Sequence, residues 1–182
     1  MRVLLCSSAL AIACSGAFAQ DMGLEIRGGP AIHGLEMSSA SLLNPLSTGR
    51  VEDFAVELIY APPMDLTLLG SPRLAVGGTF NLRGYENMVH ANLNWHVPLF
   101  NSPVFVEGGL GGAYVTGYLH NPPPGYRRLG CHTMFYFQAA VGVELPAAWT
   151  ATLAGEHSSH AWLCGVDNES LNSINLKIGH KF

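Results

Sequence analysis

Met134-Phe-Tyr-Phe-Gln-Ala-Ala-Val-Gly-Val-Glu-Leu145 is the stretch that decides the fold. Phe135, Phe137, Ala139, Val141, Val143 and Leu145 fall on one side of an extended chain. Met134, Tyr136, Gln138, Ala140, Gly142 and Glu144 fall on the other. A period of two marks a strand. The alternation recurs upstream. Val89, Ala91, Leu93, Trp95 and Val97 oppose Met88, His90, Asn92, Asn94 and His96. Phe54, Val56, Leu58 and Tyr60 oppose Asp53, Ala55, Glu57 and Ile59, and Leu24, Ile26 and Ile32 oppose Glu25, Arg27 and His33. Eight strands are expected, over 23–34, 50–61, 72–83, 88–98, 103–117, 131–145, 148–159 and 171–182. Long helical periodicity is missing.

Composition narrows the class. The chain has 182 residues, 48% hydrophobic and only 12% charged, with 21 Gly and a net charge of -4. That is too apolar for a disordered chain. No heptad pattern supports a coiled coil, and no basic stripe exists to hold nucleic acid. A soluble sandwich and a membrane barrel both alternate. Two features favour the barrel. The polar faces carry charges of both signs (Glu25, Arg27, Glu57, Arg83, Glu107, Glu144 and Glu156), which can pair inside a narrow barrel. The chain also ends on Phe182 after Ile174, Leu176 and Ile178 in strict alternation, similar to the terminal strand of outer-membrane barrels. The expected fold is all-β, an eight-stranded antiparallel transmembrane β-barrel.

Residues 1–19 read as a secretory signal peptide. Met1-Arg2 is basic, Val3 to Ala13 is almost wholly apolar, and Ala17-Phe18-Ala19 forms an A-x-A site. The mature barrel domain is expected over 20–182. A lipoprotein start at Cys14 is the rival, weakened by the missing Leu three places earlier. No later segment is a continuous apolar run long enough for a membrane helix.

With both chain ends on the periplasmic side, the outer loops are 35–49, 84–87, 118–130 and 160–170. The inner connections are 62–71, 99–102 and 146–147. The first of these is long for an inner turn; a short helix at the membrane edge would account for it. By parity, His157, Ser159 and Asn172 share the outward face of adjacent strands near the outer end. Polar groups facing lipid are costly. They either sit in the headgroup zone without a task or do chemistry. A Ser hydroxyl needs an adjacent base oriented by a third group, and H-x-S on a strand sets base and nucleophile on one face. The matching substrate is an ester within the outer leaflet.

The stretch Gly155-Glu-His-Ser-Ser-His-Ala-Trp-Leu-Cys164, with Asn168 and the ending Leu176-Lys-Ile-Gly-His-Lys-Phe182, resembles the outer-membrane lipid A 3-O-deacylase family. It is most similar to a cysteine-containing, acyloxyacyl hydrolase-like branch, which also carries Leu129-Gly130-Cys131 and the glycines of Phe105 to Gly112. The resemblance implies that His157 is the base and Ser159 the nucleophile. It implies that position 172, a Glu in the family and Asn172 here, orients the His. Glu169 and Asp167 in the preceding loop are rival orienters. Asn168 is the oxyanion candidate. The family's Asn after the Ser is His160 here, and its Gly two places later is Trp162.

Cys131 and Cys164 remain after leader removal, and an exported chain favours a disulfide between them. A metal site from Cys131, His132, His160 and Cys164 is the rival, without ligand-motif spacing in its favour. The glycine pairs at 108–109 and 111–112 do not open a helix, so a bend or tight packing is expected instead of a nucleotide loop. Tyr126, Arg127 and Arg128 read as solvated loop residues or, alternatively, as phosphate contacts. The leading expectation is an ester hydrolase of the outer membrane that removes an acyl chain from lipid A. It needs no metal or cofactor, and its partners are lipopolysaccharide and outer-membrane lipids. A homodimer is left open. The alternatives are a non-catalytic barrel of the same fold and a soluble exported β domain.

Overall fold

The computed structural model describes residues 23–36 and 50–182. The expected signal peptide and processing site, Cys14 and most of the expected first outer loop lie outside the described residues. Eight strands form: β1 (Leu24–His33), β2 (Arg50–Tyr60), β3 (Arg73–Asn81), β4 (Met88–Pro98), β5 (Val104–Val115), β6 (Thr133–Glu144), β7 (Trp149–Ser159) and β8 (Leu171–Lys181). Each pairs with the next in antiparallel fashion, and β8 closes on β1. All eight expected strands are present, with ends drawn in by up to two residues. One end matters: β3 stops at Asn81, so Arg83 is an exposed turn residue and not part of the polar interior. Asn81 caps that turn, its Oδ1 accepting from the Arg83 and Tyr85 N–H groups.

The apolar faces point outward. Phe54, Val56, Phe137, Val141, Leu153, Leu176 and Ile178 are all substantially exposed. Glu25, Arg27, Glu57, Glu107, Glu156 and Lys177 are buried inside. This inverts the soluble arrangement. A closed barrel leaves no unpaired backbone edge, so an apolar outer wall can stand in lipid.

The interior is a set of ion-pair tiers. Near the chain ends, Arg27 forks between Glu25 and Glu107, with bonds of 2.6–2.9 Å. Arg73 joins the same two carboxylates and Asn94. In the middle, Lys177 Nζ donates to Glu57 at 3.0 Å and to Glu156 at 3.4 Å. Thr79 and Ser173 hydroxyls also donate to Glu156. Eight strands leave room for side chains and little else, so small residues face large ones. A Cβ on Gly142 would collide with the Phe105 ring, and one on Gly179 with Arg27 and Thr150. The β5 glycines split in the same way. Gly109 and Gly111 face inward and make room for Asn92 and Gln138, while Gly108 faces open space.

Away from the chain ends, the barrel is plugged by a small apolar cluster. Met88, Val115, Leu129, Met134, Tyr136 and Leu171 pack there, burying Leu129 of the 118–130 loop. At the other end, 62–71 contains a 3-10 turn at Thr67–Leu69, closed by Gly70 in the left-handed region. The Trp95 indole N–H, on the outer wall, donates to Leu69 O at 2.8 Å. That bond fastens the long inner connection to the barrel edge.

Candidate active site

Strand pairing sets the site. On β7, His157 lies opposite Asn172 of β8 and Phe137 of β6, and Ser159 lies opposite Phe135. His157 Nδ1 and Asn172 Oδ1 are 2.6 Å apart. The Asn172 amide group donates to Leu35 O at 3.0 Å and to Ser170 Oγ at 3.2 Å. Both amide hydrogens thus have acceptors elsewhere, and the carbonyl oxygen is left for His157. The ring must then carry its proton on Nδ1, which leaves Nε2 as a free acceptor.

Asn172 has the expected outward parity, yet it is only 2% exposed. Leu35, at the start of the first outer loop, covers it. Leu35 N–H donates to Asn172 O at 3.3 Å, and its side chain is buried. No pattern in the sequence pointed to Leu35. The two rival orienters have other partners. Glu169 accepts from the Arg128 N–H and guanidinium, each at 2.9 Å. Asp167 faces His120 at 2.7 Å. Arg127 N–H donates to Glu86 at 2.6 Å, and its guanidinium donates to Gly34 O at 2.7 Å. Arg127 and Arg128 therefore tie loops together.

The loop after Ser159 is organised by His160, which is buried. Its N–H donates to Asn168 Oδ1 at 3.2 Å. Its ring Nε2–H donates to Asp167 O at 2.6 Å, and Nδ1 accepts from Cys164 N–H at 3.3 Å. Cys131 and Cys164 form a disulfide with Cα atoms 5.9 Å apart. That bond removes both sulfurs from the rival metal site. The cysteines lie just beyond β6 and β7, so the bond joins loop to loop. Gly130 sits at φ 71° directly under this loop, and a Cβ there would collide with Asp167 O and the His160 ring. The Leu129-Gly130-Cys131 string thus has one physical meaning: a buried anchor, a close approach and a crosslink. Ala161 and Trp162 both adopt left-handed φ, at 50° and 67°. Trp162 stands in a conformation that suits Gly, the residue of the resembling family at that place.

A groove of about 540 Å³ opens in the outer wall below His157. Ala139 and Gly155, paired across β6 and β7, lie in it, with Phe137, Val141, Leu153 and Ile174 around them. Its surface is mainly apolar, with His157 among the polar residues that border it. An apolar lining of this kind suits a hydrocarbon chain.

The family model for lipid A 3-O-deacylase (PagL) matches residues 54–181. The chain belongs to the lipid A 3-O-deacylase family. The fold is similar to the crystal structure of the outer membrane enzyme PagL, with a TM-score of 0.58 at 15% identity, covering 87% of this chain and 99% of that one. It is also similar to the N-terminal β-barrel domain of Pseudomonas aeruginosa OprF, with a TM-score of 0.50 at 13% identity over 87% of this chain and 96% of that one. Neisserial surface protein A gives 0.50 at 11% identity with the same coverage. At these identities the likeness is one of fold. No curated protein matches the sequence. The lipid A 3-O-deacylase match spans β2 to β8, and so takes in both strands that carry the His157–Asn172 pair.

Proposed function

We propose that this deacylase-family barrel hydrolyses an acyl ester of lipid A from within the outer leaflet of the outer membrane. The observation that carries the proposal is the His157–Asn172 bond, with Asn172 turned by Leu35 so that it can only accept. That arrangement supplies a base with its lone pair on Nε2. Ser159 shares the outward face of β7 two residues on.

The chemistry runs in two halves. Ser159 Oγ attacks the ester carbonyl while His157 Nε2 takes the hydroxyl proton. The tetrahedral intermediate collapses, and His157 returns the proton to the departing sugar oxygen. Water, activated by the same imidazole, then releases the fatty acid and restores Ser159. Asn168 has its oxygen engaged by the His160 N–H, which leaves its amide group as the oxyanion donor. The acyl chain lies in the Ala139–Gly155 groove. No hydrogen bond joins the Ser159 hydroxyl to another described residue, and such contacts commonly tighten only with substrate bound.

The test is mass spectrometry of lipid A from cells expressing the wild type, His157→Ala and Ser159→Ala, all confirmed in the outer membrane. Loss of one acyl chain with the wild type alone is expected. Unchanged lipid A in every strain, in a host whose lipid A carries the ester, would give the non-catalytic barrel instead. Loss that survives both substitutions would refute the roles of His157 and Ser159.

A further inference from the structure

The 160–170 loop displays an apolar surface that the fold does not use. Trp162 is 68% exposed, Leu163 75% and Val166 86%. None packs into the plug beneath. A connection between two strands has no need of three large exposed apolar side chains, and contiguous exposed hydrophobic groups mark an interaction surface.

The surface is also held rigid. The Cys131–Cys164 disulfide fixes one side, and His160 fixes the other through its ring and its backbone N–H. Leu163 N–H closes a turn on His160 O at 3.0 Å. Ala161 and Trp162 are held in left-handed backbone conformations. A bulky side chain in that region is disfavoured and persists where the surroundings dictate it. The loop therefore presents these side chains in a set arrangement.

Continuity identifies the occupant. The loop leaves β7 directly after Ser159, whose neighbours on the outward face are His157, Phe135 and Phe137. Phe135 and Phe137 are part of the exposed apolar wall. We infer that Trp162, Leu163 and Val166 extend this wall beyond the strand ends and insert among the acyl chains of the surrounding leaflet. The loop thereby holds the lip of the site at the depth where esters of a glycolipid meet its hydrocarbon. Trp is well suited to that boundary because its ring is apolar and its N–H is polar.

The test needs no enzymatic activity, so it stands or falls apart from the proposed hydrolysis. The full mature protein is folded into phosphatidylcholine vesicles whose acyl chains are brominated or plain. The emission of Trp162→Phe is subtracted from that of the wild type, which isolates Trp162 from Trp95 and Trp149. Folding of both is checked by the heat-shifted band on gels. Trp162 emission is expected to be blue-shifted, to be mostly lost with brominated chains and to be spared by iodide. Emission lost to iodide and spared by bromine would overturn the inference. So would protection from both quenchers in a particle the size of a dimer, which would assign the surface to a second copy of the chain. In a second measurement, Leu163→Ser/Val166→Ser is expected to weaken bromine quenching of the remaining Trp162. Undiminished quenching would show that the loop does not insert as a unit.

Discussion

Asn172 serves His157 through its carbonyl oxygen because its amide hydrogens are spent on Leu35 and Ser170. An Asn free to turn would offer either end to the imidazole. Offering its NH₂ would stabilise the wrong tautomer, the fault that costs serine proteases about 10⁴ in rate when their triad Asp becomes Asn. Here the Leu35 carbonyl prevents that turn. What Asn172 lacks is charge, so it does not stabilise an imidazolium as a carboxylate does. On the proposed mechanism, Asn172→Ala should lower kcat on the order of 10²- to 10⁴-fold with KM little changed, because His157 loses its orienting partner while the apolar groove stays intact. Steady-state kinetics on folded protein in detergent would show it. An equal loss in kcat/KM coming wholly from KM would instead make Asn172 a binding residue. The sequence placed His157, Ser159 and Asn172 on one face through strand parity alone. Leu35 was beyond its reach, because nothing local marks a Leu ahead of a loop as the cover for a residue 137 positions away.

Among the elements, the outer connections depend on a few buried polar contacts. Glu86, in the turn between β3 and β4, meets His33 at 3.1 Å and accepts the Arg127 N–H at 2.6 Å. Burial raises the Glu86 pKa, but the hydrogen bonds from His33 and Arg127 outweigh it and hold the carboxyl below its ordinary 4.5. A lowered folded value means stability that is present above about 4.5 and lost as pH falls through the folded value. Hydrogen exchange at Arg127 should therefore be slow at neutral pH and quicken, relative to the barrel strands, once pH drops below about 4.5. Glu86→Gln should remove that acid step. An acid step of the same size in the variant would mean that another group carries it. The strands themselves were legible, since alternation needs only the two faces of one chain. The loop ties were not, because Glu86, Arg127 and Gly34 meet only once the barrel has closed.

For the whole molecule, the outer wall and the charged interior are two parts of one solution. Lipid outside leaves charge only one place to go. Lys177 holds Glu57 and Glu156 together in the middle tier, and all three are buried. Lys177→Met should cost about 3–5 kcal/mol, because two carboxylates would remain buried without their cation. Urea unfolding of the refolded barrel measures this. A cost below about 1 kcal/mol would mean that the interior is wet enough to screen the pair.

From the sequence alone came the barrel, its eight strands, their facing and the outward position of the His-x-Ser pair. All of these follow from a period of two repeated along the chain, and from charges of both signs on the polar faces. Tertiary structure alone decided which end of Asn172 meets His157, that Glu169 and Asp167 serve Arg128 and His120, and that Arg83 stands outside. It also decided that Trp162 is displayed in a left-handed turn. The reason is physical. Facing is set by the alternation of each strand by itself, whereas hydrogen-bond partners and loop conformations are set by which distant segments closure of the sheet brings together.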